Sequence, residues 1–370
     1  MRILHFVTSF LPKLGGLQVS VYNIARTLQK RGHSVAVYTW KSERADKGFE
    51  TVYGINVYRY GIRNINGKIR MLKIPCRLFQ QYFDYLALQK LVQEYDLLHV
   101  HAPTYGGYFP KYTRSLISIY GWANALKKVK KPSILTFHKT PSKDEIGAFL
   151  KELRNADMAT SVSKPLAKAL NIEYIPDGVD TDVFKPISHQ KDDKFFNIIY
   201  PARIEKGKKQ DLLVKVIAQL NRRNVKIIFV GPVSDKFYYT ELMKKIRKLN
   251  IQAIFMEAEY LHMPKVYNMA DLVVFTAEYI GLPLGVLEAM ACGKPVIALK
   301  HALIADGIKN NENVLLVSNE KELKIAMQIL LEDEEKRKKI GQKAREFALS
   351  YDWKHIVKRY EEKYVRVLEK

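Results

Sequence analysis

The chain has 370 residues, 47% of them hydrophobic, only two cysteines and a formal charge of +23. That length predicts two domains, and that composition excludes a disordered chain. Cys76 and Cys292 make no disulfide framework or metal-ligand pattern, and no run of eighteen apolar residues could cross a membrane. Met1 to Phe10 is too short and too polar at its end for a signal peptide, which predicts a reduced, cytoplasmic protein. The charge is uneven. Through Pro186 there are 28 Lys and Arg against 14 Asp and Glu, and after it 33 against 24. Nucleic acid, an anionic membrane or phosphorylated small molecules could answer to such a charge, and so could a plain solvated surface.

Arg2 to Ser9 reads as a buried strand, followed by LPKLGGLQ and a helix with Val21, Ile24, Ala25 and Leu28 on one face. RGHSVAVYTW stops that helix at Gly32 and begins a second strand. Only Gly15 and Gly16 mark the first loop, so the dinucleotide fingerprint is missing. The glycine pair suits either a tight turn or close approach of backbone amides to a ligand. Tyr53 to Tyr60 reads as a further strand. Arg63 to Leu91 and Lys111 to Lys131 mix basic with apolar and aromatic residues. Each could be an ordinary amphipathic helix or a surface for anionic lipid. Asp96 to Pro103, DLLHVHAP, and Ser133 to His138, SILTFH, read as buried strands. His138 falls at the carboxyl end of its strand, where it is either a structural histidine or a ligand contact. Met158 to Ser163 is a short strand. Ile172 to Pro186 is a turn-rich join, and its aspartate pair, Asp180 and Asp182, sits in this linker-like segment, which argues against a metal site there.

The second half restarts with the strand Phe195 to Pro201. Arg203 and Lys208 flank the next loop, ahead of a helix over Asp211 to Leu220. Cations beside a helix start at a strand end can clamp a diphosphate, or they can be a surface cluster. Strands at Val225 to Gly231, Ala253 to Met256, Asp271 to Thr276 and Asn313 to Val317 alternate with helices at Glu241 to Leu249 and His262 to Ala270. Gly281 to Ala298, GLPLGVLEAMACGKPVIA, predicts a buried helix with Pro283 in its first position and Gly293 as its stop. Its one charged residue is Glu288. A buried carboxylate needs a partner, either a nearby Arg or Lys or a ligand hydroxyl pair. Free amides at the helix start, including Leu284 and Gly285, would attract an anion. Glu320 to Lys370 reads as helical, with a break at Tyr351 to Trp353. The halves thus repeat one βα scheme. This predicts an α/β protein of two doubly wound Rossmann-like domains facing across a cleft.

In this order and spacing, LPKLGGLQ with RGHSV, DLLHVHAP, TFH, IPDGVDTDVFKP, ARIEKGKKQDLL, MPKVYNMADLVVF and GLPLGVLEAMACGKPVIA before NVLLV resemble the retaining GT-B-fold glycosyltransferases of family four. The resemblance covers most of the chain. It implies an acceptor-binding domain over 1–183, a nucleotide-sugar-binding domain over 184–351, and a last helix, 352–370, that packs back on the first. It implies a UDP- or GDP-sugar donor and a saccharide, lipid-linked or lipid acceptor, with no cofactor and no metal. Gly16 would approach the donor phosphate or acceptor, and His138 the transferred sugar. Arg203 and Lys208 would stabilise the leaving diphosphate, with the Leu284 and Gly285 amides beside them, and Glu288 would hold the ribose. An anionic membrane surface is a candidate partner, with the protein peripheral at its inner face; nucleic acid is not expected. Family members usually carry a second glutamate with seven residues between it and the first. Here that position is Ile280, the nearest acid is Glu278, and the usual glycine-rich turn is Lys300-His301-Ala302-Leu303. Two other readings remain open: a catalytically impaired protein that binds nucleotide sugars as part of a larger enzyme, and a GT-B-fold nucleotide-sugar epimerase.

Overall fold

The computed structural model describes residues 1–7, 9–12, 15–40, 48–60, 89–101, 131–138, 150, 153–154, 156–187, 194–277, 281–301 and 303–370. The basic segments after Arg63 and Lys111, and the positions Glu278, Ile280 and Ala302, lie wholly or almost wholly outside them. Two compact units emerge: residues 1–176 with 354–370, and residues 177–353.

The first unit holds β1 (Arg2–Phe6), α1 (Gly16–Lys30), β2 (Ser34–Trp40), β3 (Phe49–Val52), β4 (Ile55–Tyr60), β5 (Leu97–His101), β6 (Ser133–Phe137), β7 (Met158–Ser161), α2 (Lys164–Leu170) and β8 (Glu173–Tyr174). Its sheet runs β3-β4-β2-β1-β5-β6-β7-β8 and is parallel apart from the β3–β4 hairpin. Tyr53, expected in a strand, instead turns that hairpin with Gly54, at φ values of 47° and 83°. Two consecutive positive φ values match the twist of paired strands, which explains the turn. Leu4, Phe6, Leu98, Val100, Leu135 and Phe137 form the core on one sheet face. The alternate residues, His5, His99, His101, Thr136 and Thr160, are also buried, on the other face.

The second unit follows the order β9 (Phe196–Pro201), α3 (Gln210–Leu220), β10 (Val225–Val230), α4 (Lys236–Lys248), β11 (Gln252–Met256), α5 (Met263–Asn268), β12 (Leu272–Phe275), α6 (Leu284–Ala291), β13 (Val296–Leu299), β14 (Leu315–Val317), α7 (Glu320–Glu332) and α8 (Glu334–Leu349). Its parallel sheet runs β11-β10-β9-β12-β13-β14, so strand order reverses between β9 and β12. The last helix, α9 (Trp353–Leu368), clusters with the first unit from Lys354 onward. There Glu361 Oε1 accepts from Arg31 Nε at 2.7 Å and meets His33 Nε2 at 2.8 Å. Helix α4 starts five residues earlier than expected, because Asp235 caps it by accepting from the Tyr238 amide at 3.0 Å.

The units divide at Pro176/Asp177, earlier than the expected join after residue 183. Backbone contacts explain this. The Val179 amide donates to Tyr351 O at 2.9 Å, and Arg345 donates to the carbonyls of Thr181 and Phe184 at 3.1 and 2.6 Å. Asp180 Oδ1 accepts from the amides of Asp182 and Val183, both at 3.2 Å, so this aspartate shapes a turn.

Helix α6 ends as expected. Gly293 lies at φ 70°, and the Gly293 and Lys294 amides bond the carbonyls of Met290 and Ala289 at 2.9 and 3.1 Å. That pair of bonds closes the helix in the manner of a Schellman cap. Helix α8 crosses this cap so closely that a Cβ on Gly341 would overlap the Gly293 carbonyl oxygen. Alanine in a helix is ordinarily favoured over glycine by about 1 kcal/mol. Here it meets backbone that cannot swing away, and overpacking costs about 1–3 kcal/mol. Gly341→Ala is therefore expected to lower the melting temperature measured by circular dichroism; an unchanged or raised value would contradict this packing.

Candidate functional site

In the second unit, two loops meet where strand order reverses. One follows β9. Its Lys208 carbonyl accepts from the Tyr200 hydroxyl on β9 and from Thr276 Oγ1, just past β12, at 3.4 Å. The Gln210 side chain donates to Arg203 O at 2.8 Å. These bonds hold the Arg203–Lys208 loop over the carboxyl ends of β9 and β12. Glu205 lies between the two cations, 3.2 Å from Arg203 Nη2 and 3.9 Å from Lys208 Nζ. Arg203 is half exposed, whereas Lys208 is largely covered. Burial lowers the Lys208 ammonium below its ordinary pKa, Glu205 opposes this, and Arg203 adds to it.

The other side is the start of α6. Pro283 is the cap residue, with ψ 135°, rather than the first helical residue expected from its ring; the helix begins at Leu284. The Leu284 and Gly285 amides donate to no described residue, while the next two, of Val286 and Leu287, bond Pro283 O at 3.0 and 3.1 Å. A Cβ on Gly285 would sit 3.4 Å from Pro201 O and 3.2 Å from the Tyr267 hydroxyl. The small residue thus lets the first turn of α6 approach the end of β9. One turn on, Glu288 is buried and accepts from the Tyr267 hydroxyl at 2.9 Å. Burial pushes its carboxyl up to about 7, and the tyrosine hydrogen bond pulls the other way. No Arg or Lys among the described residues forms an ion pair with Glu288. Tyr267, on α5, is the partner that sequence reasoning missed; only its place in the YNMAD segment before β12 could have suggested it.

In the first unit, α1 begins at Gly16 behind an extended Gly15. Gln18 folds back to donate to Ser9 Oγ at 2.5 Å, and a Cβ on Gly15 would strike the Gln18 side chain. Gly16 opens the helix at the carboxyl side of β1. The strand order reverses between β1 and β5. His138 directly follows β6 and is buried. Its Nε2 lies 2.9 Å from His101 Nδ1, and His101 Nε2 lies 2.8 Å from His5 Nδ1. His99 bonds Tyr364 of α9 through Nδ1 at 2.7 Å and Thr136 through Nε2 at 2.8 Å. Burial lowers the pKa of all four imidazoles, those of His5 and His138 to about 3. The L-H-V-H alternation of β5 carried the signal for this network, since residues two apart share a face. His5, His99 and His101 bring ring nitrogens within 4.8 Å of one another. However, His5 and His101 already bond each other and both His99 nitrogens are engaged, so the cluster is a hydrogen-bonded network rather than an open metal cage.

Residues 14–183 match the family described as Glycosyltransferase Family 4, and residues 183–347 that described as Glycosyl transferases group 1. With two parallel Rossmann-like sheets, this defines a glycosyltransferase of the GT-B type. The chain belongs to the family four, group 1 glycosyltransferases. It is 23% identical over 385 residues to D-inositol 3-phosphate glycosyltransferase of Salinispora tropica, covering 93% of this chain and 79% of that one. It is 25% identical over 297 residues to the putative glycosyltransferase EpsD of Bacillus subtilis, covering 72% and 76%. Among solved structures it resembles Anabaena Alr3699/HepE in complex with UDP and glucose, with TM-score 0.74, 19% identity and 98% of each chain covered. It also resembles sucrose-phosphate synthase from Thermosynechococcus elongatus, with TM-score 0.78, 18% identity, and 100% and 99% covered. No helix among the described residues is long and apolar enough to cross a membrane.

Because the folded Glu288 carboxyl holds its proton more tightly than an unfolded one, it opposes folding increasingly as pH rises from about 4.5 to 7. Glu288→Gln keeps an acceptor for Tyr267 and cannot ionise. It should gain stability relative to the parent between pH 5 and pH 8 in denaturant titrations. A difference that does not change with pH would contradict the buried, proton-holding Glu288.

Proposed function

We propose that the chain transfers a sugar from a UDP- or GDP-sugar to a saccharide, lipid-linked saccharide or lipid acceptor. Transfer proceeds with retention of anomeric configuration and needs neither metal nor cofactor. One observation carries the reading: two cations, unbonded first-turn amides and a buried carboxylate converge where β9 and β12 end. Reversal points of parallel sheets are where such folds bind nucleotides.

Each group has a chemical task. As the bond from sugar to diphosphate breaks, negative charge grows on the leaving oxygens. Arg203 and Lys208 stabilise that charge, and the Leu284 and Gly285 amides add donors that need no reorganisation. The Glu288 carboxylate accepts from the ribose hydroxyls while Tyr267 holds its Oε2. Such charge-assisted bonds contribute roughly 1.5–3 kcal/mol each. With positive charge supplied by two side chains, a divalent cation is unnecessary. The attacking hydroxyl enters on the face the diphosphate leaves, which preserves the anomeric configuration, and the diphosphate takes its proton. On the first unit, Gly16 offers backbone to the donor phosphate or the acceptor, and His138 meets the transferred sugar.

The UDP and glucose bound to the Anabaena protein support a nucleotide-sugar donor. The Salinispora relative, named for inositol 3-phosphate, favours a phosphate-bearing acceptor. The basic first half suits such an acceptor and a peripheral place on the inner face of a membrane.

The test is thermal stabilisation by a panel of UDP-, GDP- and ADP-sugars and free nucleotides, followed by transfer assays with the ligand that binds. Binding with transfer is the expected result. Binding without turnover would favour the impaired sugar-nucleotide binder, and donor turnover without acceptor the epimerase. Arg203→Ala should weaken nucleoside-diphosphate binding about 10- to 100-fold by calorimetry, the loss of one such bond, without lowering the melting temperature of the free protein. Undiminished binding would remove Arg203 from the site.

A further inference from the structure

The histidine network contains a linear chain. His138 Nε2 meets His101 Nδ1 at 2.9 Å, and His101 Nε2 meets His5 Nδ1 at 2.8 Å. The two outer nitrogens, His138 Nδ1 and His5 Nε2, are buried and have no hydrogen-bond partner among the described residues. His5 is 0% exposed, His101 1% and His138 8%, and burial keeps all three neutral at neutral pH.

A neutral imidazole has one donor nitrogen and one acceptor nitrogen. Two hydrogen bonds through three such rings can therefore run in only two ways. If His101 carries its proton on Nδ1, it donates to His138 Nε2, so the His138 proton must be on Nδ1. His101 Nε2 then accepts, so the His5 proton is also on Nδ1. If His101 carries its proton on Nε2, all three rings carry theirs on Nε2. The three histidines share one tautomer, and His101 decides which.

The two states differ in what they leave unpaired. With every proton on Nδ1, the deep end of the chain is a lone pair on His5, and the outer end is an N–H on His138. With every proton on Nε2, an N–H is stranded at His5. Each state therefore leaves one N–H and one lone pair unpaired, at opposite ends of the chain. The orphan N–H is the rarer of the two in proteins, so it is favoured at the end a ligand oxygen can reach. The first state places it on His138, 8% exposed at the carboxyl edge of the sheet, rather than on His5, 0% exposed.

We infer that His101 and His5 are positioning residues that hold His138 in the Nδ1–H form, so that it presents a hydrogen-bond donor to an oxygen of the bound substrate. This rests on the functional reading above in one respect. There His138 meets the transferred sugar, whose ring and glycosidic oxygens carry lone pairs and no proton, so only a donor can bond them. His99 stands outside the chain, tied to Tyr364 and Thr136, and packs its ring 4.1 Å from that of His101, centroid to centroid.

The experiment is nitrogen-15 NMR of the ligand-free, full-length protein labelled at histidine, with signals assigned by single substitutions. His5, His101 and His138 should each report a neutral ring protonated on Nδ1. An Nε2–H tautomer or a cationic ring at any of the three, at pH 7, overturns the inference. In His101→Leu, the His138 signals should move toward a mixture of tautomers. Turnover of the donor should fall at least about tenfold, toward the roughly 10²-fold loss of a transition-state donor, with KM for the donor changing less. A folded His101→Leu protein with an unchanged His138 spectrum also overturns it. Should that variant not fold, the parent spectrum alone decides. A chain that bound no sugar nucleotide would fail the functional reading, and the tautomer result would still stand or fall separately.

Discussion

The pairing of β12 with β9, Leu272 opposite Ile198 and Val273 opposite Ile199, makes the second sheet change direction at β9. A strand added on the far side of β9 sends its connecting helices to the opposite face. The connections leaving β9 and β12 then diverge to opposite faces, which opens a crevice at the carboxyl ends of these strands. The remainder of the candidate site fills that gap. Tyr200 and Thr276 hold the cation loop by its Lys208 carbonyl, and a glycine at 285 admits the first turn of α6. The first sheet uses the same reversal at β1 and β5, and there the neighbouring side chains are histidines.

Much of this could be read from the residues, and the reasons are specific. Parallel strands covered on both faces are short apolar runs, so FFNIIYP, VKIIFVG and NVLLV stood out. Gly293 marked the end of α6 because only a residue tolerant of φ 70° fits its cap. Arg203, Lys208 and Glu288 were conspicuous as charges in otherwise apolar or strand-end contexts. Where the reading failed, the deciding contact was tertiary or the local signal was ambiguous. Pro283 has the same φ whether it caps a helix or opens one, and its ψ of 135° settled the matter. Tyr53 has the aromatic character of a strand residue, yet Gly54 after it makes a tight turn.

The histidine face was missed for another reason. Weighed alone, His138 was better read as a structural histidine than as a ligand contact. Its meaning comes from residues 37 and 133 positions away that share its side of the sheet. The burial of Glu288 was legible, but the identity of its partner was not. The expected choice was a cation or a ligand, and the folded chain supplies a phenol. A neutral donor satisfies part of the carboxylate without forming an ion pair, which leaves the group responsive to what binds.

The four buried imidazoles also give the first unit a pH response of its own. Each stays uncharged when folded but gains a proton near its ordinary pKa of about 6.5 when the chain unfolds. Their contribution is whole above that value and drains away as the solution is acidified, for His5 and His138 toward about 3. Glu288 works in the opposite sense in the second unit, where acid relieves the cost of a buried charge. Mild acid therefore works against the first unit through its histidines while relieving the second of the cost of its buried glutamate.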